Sequence, residues 1–442
     1  MRFTAGEAAA AAGGDLQGED VTCHGASIDT RTLVAGQLFI PVVAERDGHD
    51  FVAAAREAGA PAYLTSRDPV GGTAVVVADT ALALWDLGRH ARGLLPDLVV
   101  GITGSVGKTT VKDLVGGGLA TGLRTHAAQG SYNNELGVPL TLLGAPDGVE
   151  AVVVEMGARH PGDIAQLCDL ARPTIGVITS IGMAHAEHLG GPAGIRAEKA
   201  SIIERLPPDG YAILNDEDCG MDVRSRTSAT AVTFGTTTGD VRATVLARDG
   251  ELRPTVRIDS PWGSGEVELS VRGDHQAANA AAAVAVAVCS GVGFERALLG
   301  VASAEGSELR AEFWRTPSGL RVLNDCYNAN PTSMEAALRN LARVDSPRRV
   351  AVLGEMAELG EGSDQAHRRI GDLAASLGID VVAVGGAPFG GTPVTDQDEA
   401  LELIARLDPD SVVLLKASRS VGLDRMAAAL RDGVGQTGAG IR

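Results

Sequence analysis

The sequence predicts an α/β protein built as three consecutive units, residues 1–95, 96–305 and 306–442. Three observations carry that expectation. Short apolar strand-like runs alternate with helical stretches along the chain, the pattern of mostly parallel sheets covered by helices. A glycine-rich turn at residues 101–110 joins one such run directly to a helical stretch. The 442 residues amount to about three domains at ~150 residues each.

The first unit reads as a small α/β domain. Leu38-Phe39-Ile40 and Thr73 to Val77 are strand-like, and Phe51 to Ala58 is helical. Leu95-Pro96-Asp97 marks a boundary. The central unit opens with the apolar run Leu98 to Thr103, followed by further buried-strand candidates at Ala151 to Glu155 and Ile175 to Ile178, in a mostly parallel sheet with helices on both faces. Residues 241–272 alternate polar and apolar residues and read as a β insertion or sheet edge. An alanine/valine helix, about His275 to Cys289, closes the region. The third unit opens with a strand at Gly319 to Asn324. Pro331 suits the first turn of a helix that carries Met334, Leu338 and Leu341 on one face. Val350 to Leu353, Asp380 to Val384 and Ser411 to Leu415 complete a second open α/β sheet, and the tail from Gly433 to Arg442 is expected to fray. No GxGxxG fingerprint follows these strands, which argues against a bound dinucleotide.

Composition narrows the function. Aromatic residues make up only 3% and the net charge is −18, so neither base-stacking platforms nor a phosphate-backbone surface is expected, and nucleic acid is not a predicted partner. The five cysteines form no CxxC pair and their number is odd, which disfavours a zinc ribbon or disulfide scaffold and suits a reducing compartment. The N-terminus carries Arg2 and a short alanine run, too weak for a signal peptide, and no run of about 18 strongly apolar residues occurs, so no membrane span is expected. A cytoplasmic location is the expectation.

The sharpest local signal is Gly101-Ile-Thr103-Gly104-Ser105-Val106-Gly107-Lys108-Thr109-Thr110, between a predicted strand and a predicted helix. Glycines let the backbone curl so that N–H groups face phosphate oxygens, and the helix dipole adds to their pull. Lys108 is placed to neutralise the outer phosphates and Thr109 to offer a hydroxyl to Mg²⁺. Glu155 ends an apolar strand at the edge where ligands of parallel sheets bind, and is a candidate Mg²⁺ ligand. His185 also follows a strand, and Lys199 lies on a predicted helix. Taken alone, the first is more often a satisfied loop histidine and the second a surface lysine.

Beyond these residues the sequence resembles the Mur ligase superfamily over most of its length. The resemblance rests on Thr103-Gly-Ser-Val-Gly-Lys-Thr109, Asn133-Asn134-Glu135-Leu-Gly-Val-Pro139, Glu155-Met-Gly-Ala158, and Ala184-His185 with Lys199. It continues through Asn324-Asp325-Cys-Tyr327-Asn328-Ala-Asn330-Pro331, Gly354-Glu-Met-Ala-Glu-Leu-Gly360 and Lys416-Ala-Ser-Arg419-Ser. The Tyr-Asn-Ala-Asn-Pro and Met-Ala-Glu-Leu-Gly strings point to the branch that joins D-Ala-D-Ala to a UDP-N-acetylmuramoyl-tripeptide in peptidoglycan precursor synthesis. The resemblance implies an N-terminal domain for the UDP-sugar peptide, a central domain for ATP and a C-terminal Rossmann-like domain for the incoming dipeptide. It implies a monomer, an acyl-phosphate intermediate, and catalytic roles for Lys108, His185 and Lys199. By the same resemblance Asn279, Arg310 and Asp325 join the phosphate loop in binding ATP, and Thr109, Glu155, His185 and Lys199, the last carbamylated in relatives, serve the metal. Ser27, Asp29, Thr30, Arg31, Asn133, Asn134, Tyr327, Asn328 and Asn330 become candidates for binding the acid and amine substrates. The loop Ala44-Glu45-Arg46-Asp47-Gly48-His49 is one residue shorter than the superfamily's usual Gly-Glu-x-x-Asp-Gly-His, and Gln276 stands where Asn is usual. The shortened loop leaves open an alternative, a related ligase that joins a different acid and amine.

Overall fold

The computed structural model describes residues 1–182 and 186–433, arranged around three main sheets. The first is five-stranded, in the order Asp15–Gln17, Thr73–Val76, Ala62–Thr65, Leu38–Phe39, Ala26–Ser27, and only its Asp15–Gln17 edge is antiparallel. A two-stranded ribbon, Arg2–Thr4 with Thr22–His24, accompanies it. The helix expected from Phe51 begins one residue later, at Val52, because Asp47 caps a 3₁₀ turn over Gly48–Phe51 first.

The central sheet has nine strands. Thr125–Ala127, Ala151–Glu155, Val99–Thr103, Ile175–Ile178, Tyr211–Asn215, Thr230–Gly235 and Val241–Arg248 run parallel, in that spatial order. Pro254–Ser260 and Gly263–Glu268 add an antiparallel edge, so the β insertion read from the alternating pattern extends the main sheet. Its last strand ends at Glu268, short of residue 272, where the alternating region was read to end.

Side chains of these parallel strands alternate between two cores, as the two-residue repeat of a strand requires. Val99, Val152, Val154 and Leu214 face one core, and Val100, Val153, Val177 and Ile213 face the other. Against the second core pack helices Lys108–Ala120, Gln276–Cys289 and Phe294–Ser303. Mid-helix glycines cost about 1 kcal/mol each relative to alanine, so Gly117 and Gly118 need a reason. It is close approach. A Cβ on Gly117 would stand 2.6 Å from the Gly300 carbonyl oxygen, and one on Gly300 would stand 2.4 Å from that of Gly117.

The first core is shared with the N-terminal unit. Leu84 and Leu87 of helix Thr80–Leu94, Phe3 from the ribbon and Leu64 from the five-stranded sheet pack in the same cluster as Val138, Leu142, Leu167 and Leu170 of the central unit. The C-terminal sheet stands apart. Its order is Glu312–Arg315, Arg321–Asn324, Val412–Lys416, Arg349–Leu353, Asp380–Val384, Thr392–Val394, with only the Glu312–Arg315 edge antiparallel. Helices Pro331–Arg343 and Ser363–Ser376 cover one face, and Gln397–Ile404 and Asp424–Asp432 the other. The edge strand Glu312–Arg315 went unread in the sequence, because its Glu-Phe-Trp-Arg lacks a full alternating repeat.

Candidate active site

A cleft of about 980 Å³ opens at the carboxyl ends of the central strands and extends to the C-terminal unit. Residues 105–110 of the glycine-rich turn form part of its wall. Thr103 is buried at the end of its strand, and neither it nor Gly104 reaches the wall. Gly104 has φ 151°, and a Cβ there would stand 1.9 Å from Thr179 Oγ1. The loop after Ile178 braces the turn: Ser105 N–H donates to Ser180 O (3.0 Å), Val106 N–H to Ser180 Oγ (2.9 Å), and Ser105 Oγ to Gly182 O (2.8 Å). No side chain caps helix Lys108–Ala120, so its first amides are left for a ligand at the positive end of the dipole.

Lys108 Nζ donates to Gly104 O (2.8 Å). Burial lowers its pKa from the ordinary lysine value, with Glu155 opposing and Arg310 reinforcing the shift. Glu155 is 1% exposed; its Oε1 accepts from Asn133 Nδ2 (2.7 Å), and its Oε2 is buried with no hydrogen-bond partner. A buried carboxylate oxygen left open beside a cationic lysine and an anion-binding turn is suited to a hard cation. Thr109 Oγ1 lies 3.0 Å from Ser131 Oγ and accepts from Arg310 Nη2 (3.2 Å).

Arg310 comes from the start of the C-terminal unit. Its guanidinium lies 4.2 Å from the ring centre of Tyr327, and its flanking residues Leu309 and Ala311 have φ 61° and 51°. Two non-glycine residues in that region cost on the order of 1–3 kcal/mol each, strain that cluster around functional side chains often carries. Asp325 is held by Lys416 Nζ (2.5 Å), a buried lysine that also donates to Asn328 O (3.1 Å). Lys416 thus shapes the 325–328 loop from below, a role that the position of a lysine at a strand end does not announce. Asn279 Nδ2 donates to Gln276 Oε1 (2.6 Å), and its Oδ1 stands 2.9 Å from where a Cβ on Gly107 would lie. So Gln276, at the position where asparagine was expected, orients Asn279 against the turn. His275 lines the cleft wall, where desolvation by the surrounding protein lowers its pKa; Asp325 opposes the shift and Lys416 adds to it.

Lys199 is 1% exposed on helix Gly191–Glu204 and does not line the cleft. Burial lowers its pKa to about 7; Lys108 adds to the shift, and Glu198 and Asp163 oppose it. The neighbouring Glu198 was missed by the sequence reading. Its carboxylate accepts from Gly162 N–H and Ile164 N–H, both at 2.7 Å, and so caps helix Asp163–Ala171. Lys112 was missed as well; buried on the phosphate-loop helix, it holds the backbone of the next loop at Ala128 O and Gly130 O. His185 lies outside the described residues, and among those described no three His, Cys, Asp or Glu side chains cluster as a metal site.

Asn133, Asn134, Tyr327, Asn328 and Asn330 all reach the cleft wall. Asn330 has a second occupation: its side chain accepts from Ser333 N–H (2.9 Å) and caps helix Pro331–Arg343. Ser27, Asp29, Thr30 and Arg31 do not line the cleft. Asp29 and Arg31 pair with each other (2.5 Å), and Ser27 Oγ donates to Asp29 O (3.1 Å). In the shortened loop, Asp47 Oδ1 accepts from His49 N–H and ring Nδ1, and Asp47 also pairs with Arg67. His49 Nε2 accepts from Ser66 N–H (3.1 Å), and a Cβ on Gly48 would stand 2.6 Å from Val42 N. Asp-Gly-His is therefore the scaffold of this loop, and the departures fall at its tip, residues 44–46.

Comparison with known proteins bears on the same surfaces. The Mur ligase middle domain family matches residues 102–287, and the Mur ligase glutamate ligase domain family matches residues 309–419. The UDP-N-acetylmuramoyl-tripeptide–D-alanyl-D-alanine ligase of Mycobacterium tuberculosis is 36% identical, over 91% of this chain and 91% of its own. A crystal structure of MurF from Acinetobacter baumannii has a TM-score of 0.85 at 33% identity, covering 98% and 99% of the two chains. Another structure from that organism is named as a UDP-N-acetylmuramoylalanyl-D-glutamyl-2,6-diaminopimelate–D-alanyl-D-alanyl ligase, with a TM-score of 0.83 at 32% identity, covering 98% and 99%. MurF from Thermotoga maritima in complex with ADP has a TM-score of 0.78 at 28% identity, covering 92% and 96%.

Proposed function

The chain belongs to the Mur ligase family, and on that premise we propose how its cleft carries out the family's chemistry. The protein is an ATP-dependent, ADP-forming ligase of peptidoglycan precursor synthesis, of the type that adds D-Ala-D-Ala to UDP-N-acetylmuramoyl-tripeptide. The observation that carries our reading of the site is the conjunction at the phosphate turn: Lys108, the open carboxylate oxygen of Glu155, and Arg310 arriving from the C-terminal unit.

In this reading the first amides of helix Lys108–Ala120 hold the outer phosphates of ATP. A carboxylate is a poor acylating agent. Transfer of the γ-phosphoryl group to the substrate carboxylate gives an acyl phosphate, and attack by the dipeptide amine then expels phosphate. Lys108 offsets the repulsion between the two anions that approach each other, and Arg310 follows the phosphates from the opposite side. Glu155 and Thr109 would hold Mg²⁺, which supplies further charge neutralisation when bound; one carboxylate together with phosphate oxygens is the usual protein share of such a site. Lys199, already poised to lose its proton, can take up CO₂ as a carbamate and turn from a buried cation into an anionic oxygen ligand that serves the metal together with His185. Asn279 meets the adenine, and Asp325 the ribose and phosphates. Asn133 and Asn134 touch the acid; Tyr327, Asn328 and Asn330 touch the dipeptide. Residues 1–95 bind the UDP-sugar peptide through Ser27, Asp29, Thr30 and Arg31, residues 96–305 bind ATP, and residues 306–442 bind the dipeptide. The enzyme acts as a cytoplasmic monomer; among the described residues no helix is long and apolar enough to cross a membrane.

The test is turnover with ¹⁸O in the acid's carboxylate. The reading expects one labelled oxygen in the released phosphate, in a reaction that requires both UDP-N-acetylmuramoyl-tripeptide and D-Ala-D-Ala. Phosphate free of label overturns it.

A further inference from the structure

The charged side chains around the cleft are nearly all accounted for. Of its cations, Lys108 sits on Gly104 O, Arg310 on Thr109 and Tyr327, Lys416 on Asp325 and Arg419 on Asp424. Of its anions, Glu155 is bound by Asn133, Asp163 by the amides of Arg159 and His160, and Glu217 by Thr236 and Thr237. Two wall residues of opposite sign, Glu135 and Arg159, make no side-chain hydrogen bond or ion pair among the described residues. They stand on loops that are joined through the backbone. Gly157 N–H donates to Asn133 O (2.7 Å), which zips the two loops together, and each charge lies two residues beyond that bond on its own loop. A Cβ on Gly157 would lie 3.0 Å from Asn133 Cγ, so this close approach depends on the glycine. Yet the two charges do not pair with each other, and each is left facing the cleft.

An unpaired anion and an unpaired cation, both exposed on joined loops of one cleft wall, match a zwitterion. We propose that Glu135 and Arg159 clamp the distal amino-acid end of the third residue of the peptide acid, Glu135 taking its ammonium and Arg159 its spectator carboxylate. That makes Arg159 a specificity-determining residue for a diamino-dicarboxylic acid over a diamino-monocarboxylic one. This rests on the ligase reading above, in which Asn133, whose side chain binds Glu155, touches the acid. Arg159 follows Glu155 by four residues on the same strand-end loop, and the third residue is the part of the acid that carries the reacting carboxylate. The second carboxylate of 2,6-diaminopimelate lies five carbons along the same residue, so the loop reaches both ends of one side chain. A lysine in that place offers the ammonium alone and gives Arg159 no carboxylate to bind.

The experiment measures kcat and KM for two acids, UDP-N-acetylmuramoyl-tripeptides ending in 2,6-diaminopimelate or in lysine, with the full chain, Arg159→Ala and Glu135→Gln. The clamp expects the diaminopimelate acid to be preferred by the unmodified protein. It expects Arg159→Ala to shrink that preference in kcat/KM by about tenfold or more, through KM, and Glu135→Gln to raise KM for both acids. Equal effects of Arg159→Ala on both acids, or a fall confined to kcat, would overturn the clamp while leaving the ligase intact. No turnover of either acid by the unmodified protein would instead overturn the ligase reading itself. ADP binding by each variant, followed by thermal shift, reports that the nucleotide site is still folded.

Discussion

Among the described residues the Lys108 side chain bonds only the turn that it belongs to, so removing it leaves the backbone cradle standing and takes away charge. Lys108→Ala is expected to lower kcat by roughly 10²–10³ with the fold unchanged, measured as ADP release and circular dichroism. Lys199 gives a pH signature. Its pKa, lowered to about 7, makes the neutral amine the minor form below that pH and the major form above it. Only the neutral amine attacks CO₂, so stimulation of activity by added bicarbonate should grow from pH 6 to pH 8 in CO₂-depleted buffer. A flat response across that range counts against the carbamate. At this scale the sequence was most legible where chemistry imposes spacing, as in Gly104-x-x-Gly107-Lys108. It was least legible where a residue works through space. Nothing near Glu198 in the chain says that its carboxylate will bind amides at 162 and 164, and nothing near Lys416 says that it will hold a loop at 325–328.

Elements meet the cleft through their ends. Asn330 caps helix Pro331–Arg343 and also lines the wall, which separates two possible costs of losing it. Asn330→Ala should destabilise by about 1 kcal/mol in urea unfolding, and Asn330→Asp should restore most of that stability. Recovery of dipeptide KM along with stability would mean that the residue acts through the cap. The contact between helices Lys108–Ala120 and Phe294–Ser303 makes a second demand. Gly300→Ala puts a methyl group against the backbone of Gly117, and about 1–3 kcal/mol of destabilisation is expected, read as a lower thermal midpoint. Parallel strands were easy to read because burial on both faces leaves continuous apolar runs such as Val152-Val153-Val154. The glycine run at 116–118 looks like a break in the helix pattern, and the packed partner helices explain Gly117 and Gly118.

Over the whole molecule, the site draws on units that differ in how firmly they are joined. The first and central units share one apolar core, whereas the C-terminal unit packs its sheet within two clusters that take only Leu252 from the central unit, and it reaches the phosphate turn through Arg310 and the strained link around residues 309–311, and the helix after the turn through Ser307 and Asp113. Acid, ATP and dipeptide must meet, so motion belongs to the C-terminal unit. Small-angle scattering should show a smaller radius of gyration when an ATP analogue and the acid are both present; an unchanged curve would contradict it. The three-unit order was readable from the rhythm of strands and helices, but not which units share a core, because that depends on which face of helix Thr80–Leu94 meets which partner.

That common core has a bearing on how the chain can be divided. Excised alone, residues 96–305 would turn Leu142, Leu167 and Leu170 out to water and invite clumping. A protease that nicks the link near residue 305 would release two self-sufficient pieces, and a boundary drawn near residue 95 would yield none.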